Sequence, residues 1–584
     1  MTLQSYFGNE HIKTSKYDSV STDEEIIELK NDMGDNVAVA SKKKDEKKKH
    51  KNKKIIDPVK CTEESITLLM NNLTQFGAIL FYSWFCENRP VFEHSEKHYS
   101  RDIFWFITLI YLAFALTTMK SNPKDTSLLN REQTEEWKGW MQFLFLMYHY
   151  FHASEVYNSI RVYISCYVWM TGFGNFSFFY IKRDFGAVRF WQMMWRLNFL
   201  VFWLIMIHGN TFILYYINPL HTFYFLMVFV TMWIGSSCNH DKYPVRWKVL
   251  CLALIIFLIW DVPGVFKFVW VFLPRNETIG AKFGVLHEWH FRSGLDHYSA
   301  LFGMAFALNY PLAQAWLKST EEMPWKRQWY LKSIVLSIVA IGLALWVNEI
   351  FLLPKLRYNE HHAYTFWIPL LGYIFIRNCS ETLRGYHLDL LTRMGKITLE
   401  TYLMQHHIWL TSNAKTLLVI IPGSPLCNFF VVSMIYLFLS NRLFRLTVGL
   451  RAMLVPNDLS TAGQLFFTMC TTLATFYGIA KVLNVLGGEI FLVIIVTIML
   501  GVVGFILVRK VIDDGTVQGV RSPYIMFTGF IALVVCVGLA LEVYLKNPPM
   551  PAPDPQGGIA QSIRLGGMVI FVYAVIVFTM DNYV

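Results

Sequence analysis

Apolar stretches of about 20 residues recur along this chain from Ile66 almost to its end, separated by short polar loops. Such a stretch crosses a hydrocarbon core of roughly 30 Å as a helix. Without water, its backbone groups must be paired within the segment. The pattern predicts helices at 66–85, 103–119, 139–156, 160–180, 195–216, 219–236, 248–273, 297–317, 332–353, 364–376, 398–421, 427–440, 465–485, 489–508, 522–545 and 564–580. The short alternating segments of a β-barrel do not occur. The chain reads as an all-α polytopic membrane protein with roughly 14–16 transmembrane helices. It has three parts: a polar tail at 1–60, a multi-spanning domain at 61–485, and further membrane helices at 486–584.

Composition agrees. Of 584 residues, 54% are hydrophobic and 16% charged, against about 25% charged in soluble domains. The tail is different, with KKKDEKKKHKNKK at 42–54 and little to bury. It reads as disordered and cytosolic, touching anionic lipid. A nucleic-acid role is set aside because the rest of the chain is membrane. With the N-terminus in the cytosol and one crossing per run, the cytosolic loops hold about 24 Lys and Arg against about 9 opposite, the bias of positive-inside topology. That register puts the sequon at Asn276 in the lumen, as glycosylation requires. No apolar stretch with a small-residue cleavage site opens the chain, so no cleavable signal peptide is expected. The nine cysteines form no CxxC pair, which argues against a disulfide framework or a zinc site.

Charge inside the membrane changes the picture most. The segment MYHYFHASEVYNSIRVYI (147–164) lies between apolar runs, where an ionisable group costs at least about 2.5–3.5 kcal/mol. The 42 or so residues between Lys138 and Lys182–Arg183 are long enough for two crossings. They read as a helical hairpin with both ends cytosolic. His149, His152, Glu155, Asn158 and Arg161 recur every third residue and spiral along a helix, so they line an interior cavity or a neighbouring helix rather than lipid. Residue by residue, a structural Glu155–Arg161 pair with hydrogen-bonded histidines accounts for the strip as well as chemistry does. As a cluster it favours function. GVLHEWHFRSGLDHYSALFGM (284–304) gathers His287, Glu288, His290, Arg292, Asp296 and His297; NEHHAYTFWIP (359–369) adds His361 and His362; GKITLETYLMQHHIWL (395–410) adds Glu400, Gln405, His406 and His407. HEWH spaces its histidines by three, not four, so a zinc site is not expected. GFGN at 172–175 is too short to cradle phosphate and reads as a kink or a close helix contact.

Several of these stretches resemble one family. YHYFHASEVYNSIRVYISCYVWMTGFGNFSFFYIKRDF (148–185) resembles the signature of the multi-spanning glycan and polysaccharide O-acetyltransferases. These include animal sialate O-acetyltransferase, the fungal capsule O-acetylation protein and the plant reduced-wall-acetylation proteins. The likeness continues through 88–104, 130–151, 189–199, 215–224, 286–298 and 395–410, and covers roughly residues 60–485. It implies a ten-transmembrane acyltransferase domain that moves acetyl from cytosolic acetyl-CoA toward hydroxyls of lumenal glycans in the Golgi membrane. The sialate and fungal members carry a lumenal esterase-like domain with a GDS serine block. This sequence has no such block, so it resembles the plant type in architecture, and a separate lumenal acetyltransferase is a candidate partner.

Donor and acceptor lie on opposite faces, which calls for a cavity reached from both. A histidine there acts as general base or as acyl carrier, and an arginine stabilises the oxyanion. The candidates are His149 or His290 as base or carrier, Arg161 and Arg292 as charge stabilisers, and Glu155 and Glu400 as orienting groups, with His407 beside them. His152 ranks below His149. Lys182, Arg183 and Arg189 are candidates for the CoA phosphates, although topogenic charge explains each of them as well. No metal is expected. The rival readings are an acetyl or acetyl-CoA transporter using the same path, and a non-catalytic scaffold.

Overall fold

The computed structural model describes residues 63–88, 92–122, 125–273, 275 and 283–456. The basic tail, the four expected spans from 465 onward and Asn276 lie outside them. In chain order the elements are α1 (Glu63–Asn88), β1 (Glu93–Ser95), α2 (Arg101–Thr117), β2 (Met119–Ser121), α3 (Arg131–Phe151), α4 (Tyr157–Lys182), α5 (Ala187–His208), α6 (Ile217–Trp233), α7 (Lys242–Trp260), α8 (Val265–Val269), α9 (Val285–Gly294), α10 (Ser299–Glu321), α11 (Trp325–Trp346), α12 (Lys355–Thr365), α13 (Trp367–Asn378), α14 (Glu381–Gly385), β3 (Tyr386–Leu388), α15 (Asp389–Lys396), α16 (Thr398–Met404), β4 (Leu410–Thr411), β5 (Thr416–Val419) and α17 (Pro425–Leu454). The architecture is that of an all-α polytopic membrane protein, with five short strands among the described residues.

These residues fall into two compact units. One holds 92–122, 125–185, 212–273, 275 and 283–440; the other holds 63–88, 186–211 and 441–456. In the second, Phe76 of α1 stacks on Phe199 of α5 at 5.3 Å, Ser83 meets His208 at 3.1 Å, and Arg442 donates to Gln75 at 2.7 Å.

The first unit is built around α4. Its flank toward α10 is glycine-lined: a Cβ on Gly172 would stand 2.1 Å from the Ala300 carbonyl oxygen, and one on Gly303 2.3 Å from that of Trp169. The close-contact reading of GFGN therefore holds. α3 and α15 pack in the same way through Gly139 and Gly395. Trp137, Met141, Val162, Cys166, Trp169, Tyr310, Tyr358 and Phe366 share one apolar cluster. At one end of the bundle, Arg384 grips both Glu321 oxygens at 2.7 and 2.8 Å, Arg377 holds Glu136 at 3.2 Å, and Asn130 caps α3 by accepting from Gln133 N–H at 2.9 Å. Asn130 and Glu136, at the start of α3, are thus held by structural contacts.

Several expected spans are corrected. The run 139–156 ends its helix at Phe151, because His152 takes the left-handed conformation, φ 53°, and closes it. The run 248–273 breaks after Trp260 at Asp-Val-Pro-Gly, where Gly264 has φ 88°. The run 398–421 is not one helix. α16 passes into a π-turn at Gln405–Trp409, and β4 and β5 then form a hairpin whose tip, Ser412–Asn413–Ala414, has positive φ throughout. β5 also pairs with β1, so the non-helical backbone is hydrogen-bonded.

Among the described residues, Ala187–His208, Tyr243–Trp260, Trp325–Phe351 and Pro425–Leu454 are long and apolar enough to cross a membrane by length and composition. Trp325–Phe351 turns Ile338, Ile341 and Leu345 outward, each about 60% exposed, as a lipid-facing helix would. α3, α4 and α10 are long too, but their interior faces carry polar side chains that dilute hydropathy. Those faces hold the candidate site.

Candidate functional site

The break at His152 divides the expected strip. His149 sits in the last turn of α3, Glu155 in a 3₁₀ turn, and Asn158 and Arg161 on α4. A five-residue turn separates two antiparallel helices, so the spacing of three does not continue along one face. Glu155 points away from Arg161. It is exposed, takes hydrogen bonds from Arg101 Nε and Nη2 at 2.8 and 2.5 Å, and accepts from the Tyr99 hydroxyl. Arg101 first, then Tyr99, holds its carboxyl below the usual range. The Glu155–Arg161 pair is therefore replaced by Glu155–Arg101. Asn158 is an anchor, donating to the Phe351 and Leu353 carbonyls at 2.7 and 3.0 Å. His152 is exposed.

His149 is half-buried, and its Nδ1 lies 3.1 Å from Gln405 Oε1. With a carbonyl oxygen as partner, Nδ1 carries the proton and Nε2 is the basic nitrogen. Gln405 itself is fully buried in the π-turn. Lys97, from the loop after β1, donates to the His149 carbonyl at 2.8 Å and to the Ala414 carbonyl at 2.6 Å. It thereby ties the end of α3 to the hairpin tip. Burial pulls its ammonium down to about 8.

Arg161 is 4% exposed, lies over the Tyr157 ring at 5.3 Å, and leaves Nε and Nη1 without a hydrogen-bond partner. Asp296, Tyr148, Tyr157, Tyr216 and His149 are all within its electrostatic reach. Arg292 stacks on Tyr216 at 4.3 Å and meets Glu288 at 3.5 Å. His407 and Glu400 are fully buried, and His407 Nε2 meets the Tyr215 hydroxyl at 2.6 Å. His290 stands apart. It is exposed against Phe266, with its imidazole lowered by partial burial and by His287 and Lys267.

A second constellation adjoins Arg161. Ser165 Oγ donates to Asp296 Oδ1 at 2.5 Å and meets His362 Nε2 at 2.8 Å; His362 Nδ1 meets the Tyr358 hydroxyl at 2.9 Å. All four residues are fully buried. Asp296 and His362 stand out in the sequence as ionisable residues beside apolar runs. Ser165 and Tyr358 do not. The signal that finds them is helical spacing: Ser165 lies four residues after Arg161, and Tyr358 four before His362, each pair on one face.

Lys182 and Arg183 are exposed at the end of α4, whereas Arg189 is buried in the other unit. Among the described residues, no three His, Cys, Asp or Glu side chains converge as a metal-ligand set.

Residues 24–467 match the 10 TM Acyl Transferase domain found in Cas1p. The chain belongs to that family. Within the Cas1p-type acyltransferases, it is similar to the N-acetylneuraminate (7)9-O-acetyltransferase of Danio rerio, at 33% identity over 399 residues, or 66% of this chain. The chain spans about half the length of that curated relative, 50% of which is matched. No solved structure matches it. The Cas1p-type domain takes in every candidate residue above and every predicted span up to residue 440, and ends near the start of the span at 465–485. The ten-spanning family and the apolar helices together make this a multi-pass membrane protein.

Proposed function

We propose that this chain is a membrane O-acetyltransferase that moves acetyl from cytosolic acetyl-CoA to sugar hydroxyls of lumenal glycans in the Golgi membrane, with its N-terminus in the cytosol. The observation that carries the reading is Arg161, buried with Nε and Nη1 unpartnered, inside a Cas1p-type acyltransferase domain. His149, oriented by Gln405, offers Nε2 to the acceptor hydroxyl as general base. The two partnerless nitrogens of Arg161 face developing negative charge and stabilise the tetrahedral oxyanion. Arg292, stacked on Tyr216, adds to the same field. Lys182 and Arg183, exposed at a helix end, are the residues offered to the CoA phosphates.

The sialate acetyltransferase likeness makes sialylated glycans the first acceptors to try. Purified chain in proteoliposomes should transfer label from acetyl-CoA to such glycans with no other protein present. Failure with every hydroxylated glycan would reject the reading. A second reading has the chain pass acetyl to a separate lumenal acetyltransferase. It is favoured by the half of the relative that the match leaves uncovered. In that case label would reach glycans only when a lumenal transferase is added.

A further inference from the structure

Ser165 is fully buried between two groups that can move protons, and no step above uses it. Its hydroxyl donates to Asp296 Oδ1 at 2.5 Å. It has one proton, so the contact with His362 Nε2 at 2.8 Å must run the other way, with Nε2–H donating to Oγ. His362 Nδ1 is then an acceptor, and the Tyr358 hydroxyl at 2.9 Å donates to it. This assignment uses every polar hydrogen in the chain of contacts once. It leaves the second oxygen of Asp296, Oδ2, without a partner.

Arg161 lies one helical turn before Ser165 on the same face of α4. Its Nε and Nη1 are likewise unpartnered, at 4% exposure. Leaving buried charge-bearing donors and an acceptor unmatched is costly, and such groups mark a place for a polar guest. A nucleophile held by a proton acceptor, an imidazole oriented by a third group, and open cationic donors one turn away are the parts of an acyl-transfer site.

We propose that Ser165 is an acyl carrier: its Oγ takes acetyl from the thioester and yields it to the acceptor hydroxyl. The inference rests on the acetyltransferase reading and adds a covalent intermediate to it. In the first half, Oγ bonds to the thioester carbonyl carbon while its proton passes to Asp296. The carbonyl oxygen, as oxyanion, lies against Arg161 Nε and Nη1. The C–S bond then breaks, CoA leaves as the thiolate and takes its proton from water, and Asp296 keeps the serine proton, giving acetyl-Ser165. In the second half, the acceptor oxygen bonds to the acetyl carbon and its proton is taken by His149, which then releases it to water. The Oγ–C bond breaks, and Asp296 returns its proton to Oγ, restoring the serine. His362 and Tyr358 are positioning residues that hold Oγ. Burial keeps water from the ester.

The test uses the full chain in proteoliposomes without acceptor. Acyl-serine formation is reversible, so label should exchange between CoA and acetyl-CoA, and acid quenching should leave an acetyl group on the peptide that contains Ser165. Ser165→Ala should abolish exchange. Asp296→Asn should slow it by at least about a hundredfold. Ser165→Thr, which keeps a hydroxyl, should retain part of it, while His149→Gln should leave exchange intact and block only transfer to glycan. Exchange at the wild-type rate in Ser165→Ala, or acetyl found on His149 instead, would overturn the proposal. So would a wild-type chain that acetylates glycan without any exchange, and the acetyltransferase reading would survive that result. Exchange without transfer to any glycan would sink the acetyltransferase reading and keep the acyl-serine. Should Ser165→Ala fail to fold, the site of acetyl on the quenched wild-type chain decides.

Discussion

Gly172 and Ala300 touch backbone to backbone: a Cβ on Gly172 would stand 2.1 Å from the Ala300 carbonyl oxygen and 2.8 Å from its carbonyl carbon. No side chain can swing aside there, so the helices themselves would have to part. α4 carries Arg161 and Ser165 on one side of that contact, and Asp296 stands just before α10 on the other. Gly172→Ala is therefore expected to lower the midpoint of thermal unfolding in detergent by several degrees, the range of an overpacked core at about 1–3 kcal/mol, and to reduce acetyl transfer. Gly342→Ala, where a Cβ meets nothing within 4 Å, should leave both unchanged.

His149→Gln keeps a hydrogen-bonding side chain opposite Gln405 but has no base. Acetyl transfer to glycan should fall at least about a hundredfold, with donor binding unchanged. Transfer close to wild type in a folded sample would remove His149 from the chemistry.

Arg161→Lys keeps the charge and loses the planar pair of donors. It should lower the turnover number far more than it raises the KM for donor. Glu155→Gln breaks an exposed contact with Arg101, and exposed pairs contribute little. Its transfer rate should stay within about threefold of wild type. If the two variants were equally inactive, the separation of Glu155 from Arg161 would be wrong.

Lys97 gives a pH signature. Burial pulls its ammonium from the usual 10.5 to about 8, so between those values the unfolded chain holds a proton that the folded chain has released. Stability supplied by this group must then rise as pH climbs from about 8 to 10.5. The rise should be missing in Lys97→Met. Unfolding midpoints of both proteins across that range provide the check, and identical slopes would contradict it.

The sequence makes lipid-facing helices easy to see and interior ones hard. Trp325–Phe351 is apolar nearly all round and announces itself. The hairpin at 410–419 lies inside the longer, mostly apolar run 398–421, and run length alone cannot tell it from a helix. Three successive positive-φ residues at 412–414 fix it, and none of them is glycine. Arg161 was legible because a charge in an apolar run has few explanations. Its surroundings were not. The pairing with Glu155 assumed an unbroken helix, and a single left-handed residue, His152, sends the two to different places. Ser165 was silent because a serine in a membrane helix commonly bonds its own backbone, and only the fold brings Asp296 and His362 to it.

β1 and β5 pair Glu93 with Val419, more than 300 residues apart. At about 5–20 residues per second, the ribosome delivers the second strand roughly 16–65 s after the first. During that interval Arg161 and Ser165 are already made, while Asp296, His362 and Gln405 follow one after another. The nascent helices must hold a charged half-site in the bilayer with nothing to meet it. The cellular insertion machinery therefore has to shelter α4 until late in synthesis. A truncated chain ending before residue 419 should be retained by that machinery and degraded, where the full one is released.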